Sequence, residues 1–345
     1  MENNKEIFNM FNKNGNDNLS NLSILDQSIM RSTLSNYYLE LRKTLNLDKN
    51  VLFGTEIEYE DAQKEKIEEN VKKRLKNKGW NIHRDDSLYN GAELVSPALT
   101  NTKETWIDLN TACNIVSENA KIVRSASGHI HICMNILGNN PKYWRNFAKL
   151  WMAYEYIIFR FLYGEYTSSR QQIEKYAKPI SKSLIDDFER IEDRGKMTCA
   201  MYMMKVLNAE DDRRRSINFR NASNTDLYKY NTVADKNTIE FRSANGSFNP
   251  IIWQNNINLL VKLLEYAKNP NYNEDIINRR LQIIKEKEIP SNIIKYSRVY
   301  LNDPIELADL IFDNNLDKLY FLRQYYKDMQ VGKEPLTKSK SFTYK

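Results

Sequence analysis

The stretch that organises this chain is Val51-Leu52-Phe53-Gly54-Thr55-Glu56-Ile57-Glu58-Tyr59. Its β-branched and aromatic residues alternate with the other residues, which predicts a β-strand. Residues two apart in a strand share a face, so Gly54, Glu56 and Glu58 point to one side and the apolar side chains to the other. Two carboxylates beside a glycine suit a hard cation such as Mg²⁺. The simpler alternative is a half-exposed strand whose glutamates face solvent.

Three more segments, residues 91–97, 127–136 and 237–242, repeat this pattern of an apolar face and an ionisable face. The ionisable residues are Glu93 in the first segment, His129 and His131 in the second, and Glu240 and Arg242 in the third. Solvent-facing strand surfaces usually mix Thr, Lys, Ser and Gln, whereas these faces carry mainly carboxylate, imidazole and guanidinium groups. A single histidine is more often a core residue than a ligand, but two of the chain's three histidines on one face leave both roles open.

An antiparallel sheet with helices on its apolar face would gather these side chains in one groove. Carboxylates supply oxygen ligands for Mg²⁺, and arginines stabilise a phosphoryl group in transfer, so this set of residues is typical of a metal–nucleotide site. Residues 211–220 add four arginines. They fit either a solvated basic turn or a phosphate clamp, since arginine offers forked donors to phosphate oxygens.

Helical periodicity predicts the remaining elements, which together with the strands indicate an α+β protein. The predicted helices are one or two within residues 22–47, then residues 61–78, 103–120, 143–163, 184–191 and 251–267, and most of residues 270–328. We therefore divide the chain into an N-terminal polar lead-in and helical extension (1–48), a central sheet domain (49–268), a helical C-terminal region (269–330) and a basic, disordered tail (331–345).

The composition is that of a globular protein, with 345 residues of which 41% are hydrophobic and 28% charged. No run of about 18 apolar residues exists, so we predict no transmembrane helix. The first twenty residues are polar, without the apolar core of a secretory signal. The three cysteines, Cys113, Cys133 and Cys199, are far apart and form no CxxC pair, which argues against a disulfide framework and a structural zinc site. We therefore expect a cytoplasmic protein.

The net charge is +6, from 51 basic and 45 acidic residues spread along the chain. Such an excess permits attraction to an anionic substrate such as a nucleotide. It does not favour nucleic-acid binding, which needs a clustered basic face and a recognisable module. Steep salt dependence of binding would be the mark of that alternative.

The ordered set of motifs FGTEIEYE, DDS, GAELVSP, GHIHI, SSR and NTIEFRSANGSFNP resembles the amidoligase family, a branch of the glutamine-synthetase-like carboxylate–amine ligases. The resemblance covers residues 51–267 and leaves both terminal regions out. It implies an antiparallel half-barrel sheet with helices packed on its convex face. The concave face of such a sheet holds ATP and two or three divalent cations, Mg²⁺ or Mn²⁺ in its place.

The resemblance also implies roles for single residues. The expected cation ligands are Glu56, Glu58, Glu93, His129 and Glu240. His131 is expected near the phosphates, and Arg242 is expected to contact them. Arg170 of the SSR motif and Arg220 are further candidates for nucleotide binding. The family's additional arginine motif could match any of the three consecutive residues Arg213, Arg214 and Arg215, so the sequence does not say which arginine contacts phosphate.

We therefore hypothesise ATP-dependent amide-bond formation between a small-molecule or peptide carboxylate and an amine, through an acyl phosphate. Such catalysis depends on positioning and charge neutralisation rather than on a nucleophilic side chain. Asp86 or Asp85 is the candidate base for the amine. The alternatives are a guanidino-kinase-like phosphotransferase, an inactive binding protein of the same fold, a metal-dependent hydrolase, and a Cys133–His131 nucleophile pair.

Overall fold

The computed structural model describes residues 15–35, 37–122, 126–138, 140–163, 176–181, 184, 214–219, 237–286 and 303–326. The strands are β1 Phe53–Tyr59, β2 Asn81–His83, β3 Ala92–Val95, β4 Ser127–Cys133, β5 Ile217–Asn218 and β6 Thr238–Asn245. The α-helices of these residues are α1 Ile24–Ser35, α2 Lys64–Arg74, α3 Lys103–Asn119, α4 Pro141–Leu162, α5 Pro250–Ala267, α6 Glu274–Glu286, α7 Asp303–Ile311 and α8 Asn315–Tyr325. Short 3₁₀ turns cover Leu19–Asn21, Lys76–Lys78 and Met134–Ile136.

The strands form one antiparallel sheet in the order β2-β3-β1-β4-β6-β5, which confirms the predicted α+β class. Residues paired across neighbouring strands point to the same side of a sheet. The register pairs Glu58 with Glu93, Glu56 with His129, and His131 with Glu240. The ionisable faces predicted for four separate segments are therefore one continuous surface.

The opposite, apolar face of the sheet packs against helices α3, α4 and α5. Phe53 of β1 stacks on Trp106 of α3 at a centroid distance of 5.4 Å. Phe241 of β6 meets Trp151 of α4 at 5.6 Å. Gly128 of β4 lies so close to Trp253 of α5 that a Cβ there would be 2.6 Å from the indole ring. This contact fixes the distance between β4 and α5.

One or two helices were predicted within residues 22–47, and the described residues there form one, α1, whereas residues 37–50 contain neither helix nor strand. The strand predicted over residues 127–136 ends at Cys133, because the chain turns at Met134–Ile136 and Gly138 has a φ of +58°. Such a turn suits glycine, which has no Cβ to clash. The predicted helix at 184–191 and the predicted tail lie outside the described residues, apart from Leu184.

The segments before and after the sheet pack against each other. Asp309 of α7 accepts hydrogen bonds from the backbone N–H groups of Leu19 and Ser20, at 3.0 and 2.7 Å. Arg42 forms an ion pair with Asp317 of α8. Gln254 of α5 exchanges two hydrogen bonds with the backbone of Arg42, at 2.9 and 2.8 Å. The N-terminal segment is therefore held to α5, α7 and α8.

No α-helix among the described residues combines the length and the apolar character that crossing a membrane requires.

Candidate metal centre

The ionisable face of the sheet brings together five buried side chains from three adjacent strands. They are Glu56 and Glu58 of β1, His129 and His131 of β4, and Glu240 of β6. Glu93 of β3 is half-buried beside them, with 16% of its side chain exposed. Alternation along each strand aims these residues to one side, and the antiparallel pairing aligns them.

Glu56 lies at the centre of this cluster. Its Oε2 is 2.9 Å from Nδ1 of His129, and its Oε1 is 3.0 Å from Nε2 of His131. Burial alone would raise the pKa of Glu56, but the hydrogen bonds to both imidazoles and their charge outweigh burial and hold the pKa far below its ordinary value. Glu56 is therefore a carboxylate that can bind a cation.

Glu58 is held by Ser127, a residue that sequence reasoning missed. The backbone N–H and the hydroxyl of Ser127 each donate to a different oxygen of Glu58, both at 2.6 Å. The Ser127 Oγ also lies 3.1 Å from Nε2 of His129. Ser127 could have been predicted on the ionisable face, because it lies two residues before His129 in the same strand.

Glu240 is also hydrogen-bonded on both oxygens. Nδ2 of Asn218 donates to Oε2 at 2.7 Å, and Nη1 of Arg242 donates to Oε1. Burial acts to raise the pKa of Glu240, but the charges of Arg242 and of the two histidines lower it more. The cross-strand pairing of Asn218 with Glu240 in the β5–β6 ladder places the amide here. In the sequence Asn218 lies three positions after Arg215, and the arginines rather than the asparagine were interpreted as the functional residues of this segment.

The edge of the cluster carries the third histidine of the chain. His83 of β2 pairs with Glu93 in the register, and its Nδ1 lies 3.8 Å from Oε1 of Glu93. The His83 side chain is 57% exposed. His83 was not among the residues that we predicted for this face.

Two sets of three residues place one ligand atom each within 4.8 Å of one another. The sets are Glu56 with His131 and Glu240, and Glu56 with Glu93 and His129. Glu58 belongs to neither set. Carboxylate oxygens and imidazole nitrogens at this spacing are donors that fit a divalent cation, so the residues present suit the predicted metal.

A cavity of about 290 Å³ opens beside this centre. Its wall includes Gly54, Glu56, Ser96, His131 and Thr238. A Cβ added at Gly54 would meet nothing closer than Ser96 Oγ at 3.5 Å, which is an ordinary contact. Gly54 therefore lines the cavity next to Glu56 at a position where a methyl group would also fit.

The model of a family described as "Putative amidoligase enzyme" matches residues 52–264, more than half of the chain. The chain belongs to this amidoligase family. The matched region runs from the start of β1 into α5 and contains every residue of the two sets. Membership of the amidoligase family indicates a ligase-type enzyme. No match to a curated protein is found.

The structure does not place every predicted site residue of this amidoligase at the cluster. Asp86 forms an ion pair with Arg84 at 3.0 Å, and its side chain is 88% exposed. Its role as a base stays a prediction. Arg170, Arg213 and Arg220 lie outside the described residues. The guanidinium of Arg214 lies over the ring of Tyr176 at 5.4 Å, and Arg215 is buried.

His131 does not form the alternative nucleophile pair with Cys133. The two ring nitrogens of His131 face Glu56 at 3.0 Å and the Thr238 hydroxyl at 3.2 Å. Cys133 instead contributes to the cavity wall as a free thiol.

A buried carboxylate behind the sheet was also missed. Glu155 of α4 accepts hydrogen bonds from the backbone N–H groups of Ile180 and Ser181, both at 2.8 Å, and from the Ser216 hydroxyl at 3.1 Å. The indole N–H of Trp151 donates to it at 2.9 Å. Glu155 thus holds the residues that lead into β5, the strand that carries Asn218. In the sequence it resembled an ordinary charged residue of an amphipathic helix.

Proposed function

We propose that this protein is an ATP- and Mg²⁺-dependent carboxylate–amine ligase that forms an amide or isopeptide bond through an acyl phosphate. The observation that carries the proposal is the buried cluster of carboxylates and imidazoles, in two sets sharing Glu56, beside an open cavity. Buried carboxylates repel one another, so a cation among them relieves this repulsion. Membership of the amidoligase family supports the same chemistry.

The ligands that we propose for two or three Mg²⁺ ions are Glu56, Glu58, Glu93, His129 and Glu240, with Mn²⁺ as a substitute. The oxygen donors suit Mg²⁺, and the imidazole suits a transition metal such as Mn²⁺. Bound cations would neutralise the charge of the transferring phosphoryl group.

We assign the cavity to part of the nucleotide. Its volume of about 290 Å³ lies near the lower end of ligand pockets, which start at about 300 Å³. His131 lies in its wall, and Arg242 is tied to Glu240 on the same face, so the phosphates are proposed to lie next to both residues. The sheet that carries them is proposed to be a half-barrel of the glutamine-synthetase type, with the helices on its convex side.

The reaction proceeds in two balanced steps. A carboxylate oxygen of the substrate attacks the γ-phosphorus of ATP, and the bond to ADP breaks. The amine nitrogen then attacks the acyl carbon, phosphate leaves, and the extra proton of the amine passes to a base, for which Asp86 is the proposed residue. The chain supplies position and charge, because the carboxylate is activated by ATP rather than by a side chain.

The test is ADP release with Mg²⁺ and ATP across a panel of amino acids, peptides and amines. The ligase is supported if an amide and free phosphate appear and Glu240→Ala abolishes both, while Glu104→Ala, at an exposed position of α3, does not. A stable phosphorylated product would identify a phosphotransferase, and turnover without ATP a metal-dependent hydrolase. Absence of both Mg·ATP binding and ADP release would contradict the proposal.

A further inference from the structure

Each oxygen of the Glu56 carboxylate faces a different imidazole. Oε1 lies 3.0 Å from Nε2 of His131, and Oε2 lies 2.9 Å from Nδ1 of His129. A carboxylate in this orientation can give one oxygen to each of two cations. The family resemblance assigns only His129 to a metal, whereas each of the two histidines has a ring nitrogen within 3.0 Å of a Glu56 oxygen.

The outer members of the two sets lie to either side of Glu56 along the strands. His131 and Glu240 are paired in the β4–β6 ladder and lie toward the start of β1, next to Gly54. Glu93 is paired with Glu58, toward the end of β1. His129 is level with Glu56 in the register, and its Nδ1 also lies 3.8 Å from Oε1 of Glu240. Residues on one face of a strand repeat every two positions, or about 6.6 Å, so Glu56 lies between Glu93 and the pair of His131 and Glu240.

Hydrogen bonds orient the donors of the first set from outside. Nδ1 of His131 lies 3.2 Å from the Thr238 hydroxyl, which leaves Nε2 facing the cluster. The amide of Asn218 holds Oε2 of Glu240 at 2.7 Å. Metal-binding histidines typically use their other ring nitrogen in this way, and ligating carboxylates are themselves hydrogen-bonded.

We propose that His131 is a metal ligand and that Glu56 bridges two divalent cations. One cation is bound by Glu56, His131 and Glu240, and the other by Glu56, Glu93 and His129. This inference rests on the proposed function in that it takes the cluster to be a metal centre. Since each cation has an imidazole ligand, the centre binds Mn²⁺ more tightly than Mg²⁺, which prefers oxygen donors.

The test is titration of chelator-treated full-length protein with Mn²⁺, followed by calorimetry and electron paramagnetic resonance. Wild-type protein is expected to bind two Mn²⁺ ions with a magnetically coupled spectrum, because they share a carboxylate. His131→Gln should bind one Mn²⁺ with an uncoupled spectrum, and Glu56→Gln should lose the coupling and weaken both sites. The control is Glu104→Gln at an exposed position of α3, which should leave two coupled ions.

Thr238→Val provides a milder probe if His131→Gln does not fold. Loss of such an outer hydrogen bond typically weakens metal binding 10–100-fold, here at one of the two sites. Two coupled ions in folded His131→Gln, unchanged affinity in Thr238→Val, or an uncoupled wild-type spectrum would overturn the inference. ADP release on the same preparations separates the two proposals: activity with uncoupled ions overturns only the bridge, and coupled ions without ATP-dependent turnover overturn only the ligase.

Discussion

At the scale of the single residue, buried carboxylates in this protein accept hydrogen bonds from residues that no sequence motif identifies as part of the site. Glu58 accepts two bonds from Ser127, and Glu240 accepts one from Asn218. Hydrogen bonds to a charged acceptor are shorter and stronger than neutral ones. Small polar residues therefore supply hydrogen bonds to these glutamates where the chain buries them.

Ser127→Ala is expected to reduce the free energy of unfolding by about 1.5–3 kcal/mol, the range for a hydrogen bond to a charged group. The substitution removes the hydroxyl that donates to Glu58 and leaves the backbone bond in place. Chemical denaturation followed by circular dichroism measures the change. Ser117→Ala is the control at an exposed position of α3, where a change within about 0.5 kcal/mol is expected. Equal effects at the two serines would contradict the assignment.

At the scale of the element, the sheet is positioned by contacts from its apolar side. Gly128 allows β4 to approach Trp253 of α5, and Glu155 of α4 holds the residues before β5. Both contacts lie away from the metal centre, yet they set the strands that carry its ligands. The elements themselves followed from periodicity, but these anchoring contacts did not.

Gly128→Ala is expected to destabilise the protein by about 1–3 kcal/mol, because the new methyl group would overlap the indole of Trp253. Thermal unfolding measures the loss. Gly54→Ala is the matched control, since its methyl group meets only ordinary contacts and should change stability little. Adding Trp253→Phe should recover part of the loss at Gly128. No recovery would mean that another contact is responsible.

Glu155→Gln is expected to cost about 1–3 kcal/mol or more, because an amide NH₂ would face donors that now point at a carboxylate oxygen. The control is Glu118→Gln at the exposed end of α3. Denaturant titration of both variants gives the difference. A stability loss no greater than that of the control would show that the carboxylate does not hold this region.

At the scale of the whole molecule, the amidoligase match covers residues 52–264, but the segments on either side pack against it. Before the matched region, Leu19 and Ser20 form hydrogen bonds with α7, and Arg42 contacts α5 and α8. The predicted division at residues 48 and 268 stays a prediction. The contacts nevertheless indicate that the outer segments stabilise the matched region.

Arg42→Ala is expected to destabilise the protein by about 3–5 kcal/mol, since it leaves the buried carboxylate of Asp317 without its cation. Asp317 keeps hydrogen bonds from Asn314 and Asn258, which places the loss toward the lower end of this range. Lys43→Ala, at the exposed neighbouring position, is the control. Thermal and chemical unfolding of the two variants should differ clearly, and matching curves would contradict the prediction.

Metal binding should stabilise the whole fold, because the ligands come from β1, β3, β4 and β6 and converge only in the native state. At a free Mn²⁺ concentration of 100 times Kd, linkage predicts about 2.7 kcal/mol of added stability for one site. Chelator should remove this gain, and Glu240→Ala should reduce it. An unfolding temperature that does not respond to Mn²⁺ would contradict a metal centre that spans the sheet.

The sequence by itself determined which side chains share a face of each strand, because alternation at period two is a local property of the chain. It also determined the main helices that border the sheet, whose apolar stripes are equally local. Only the tertiary structure decided which faces meet: that Glu56 lies between His129 and His131, that Asn218 holds Glu240, and that Ser127 holds Glu58. These pairings join residues 22 to 75 positions apart, and strand register and packing, not local periodicity, set them.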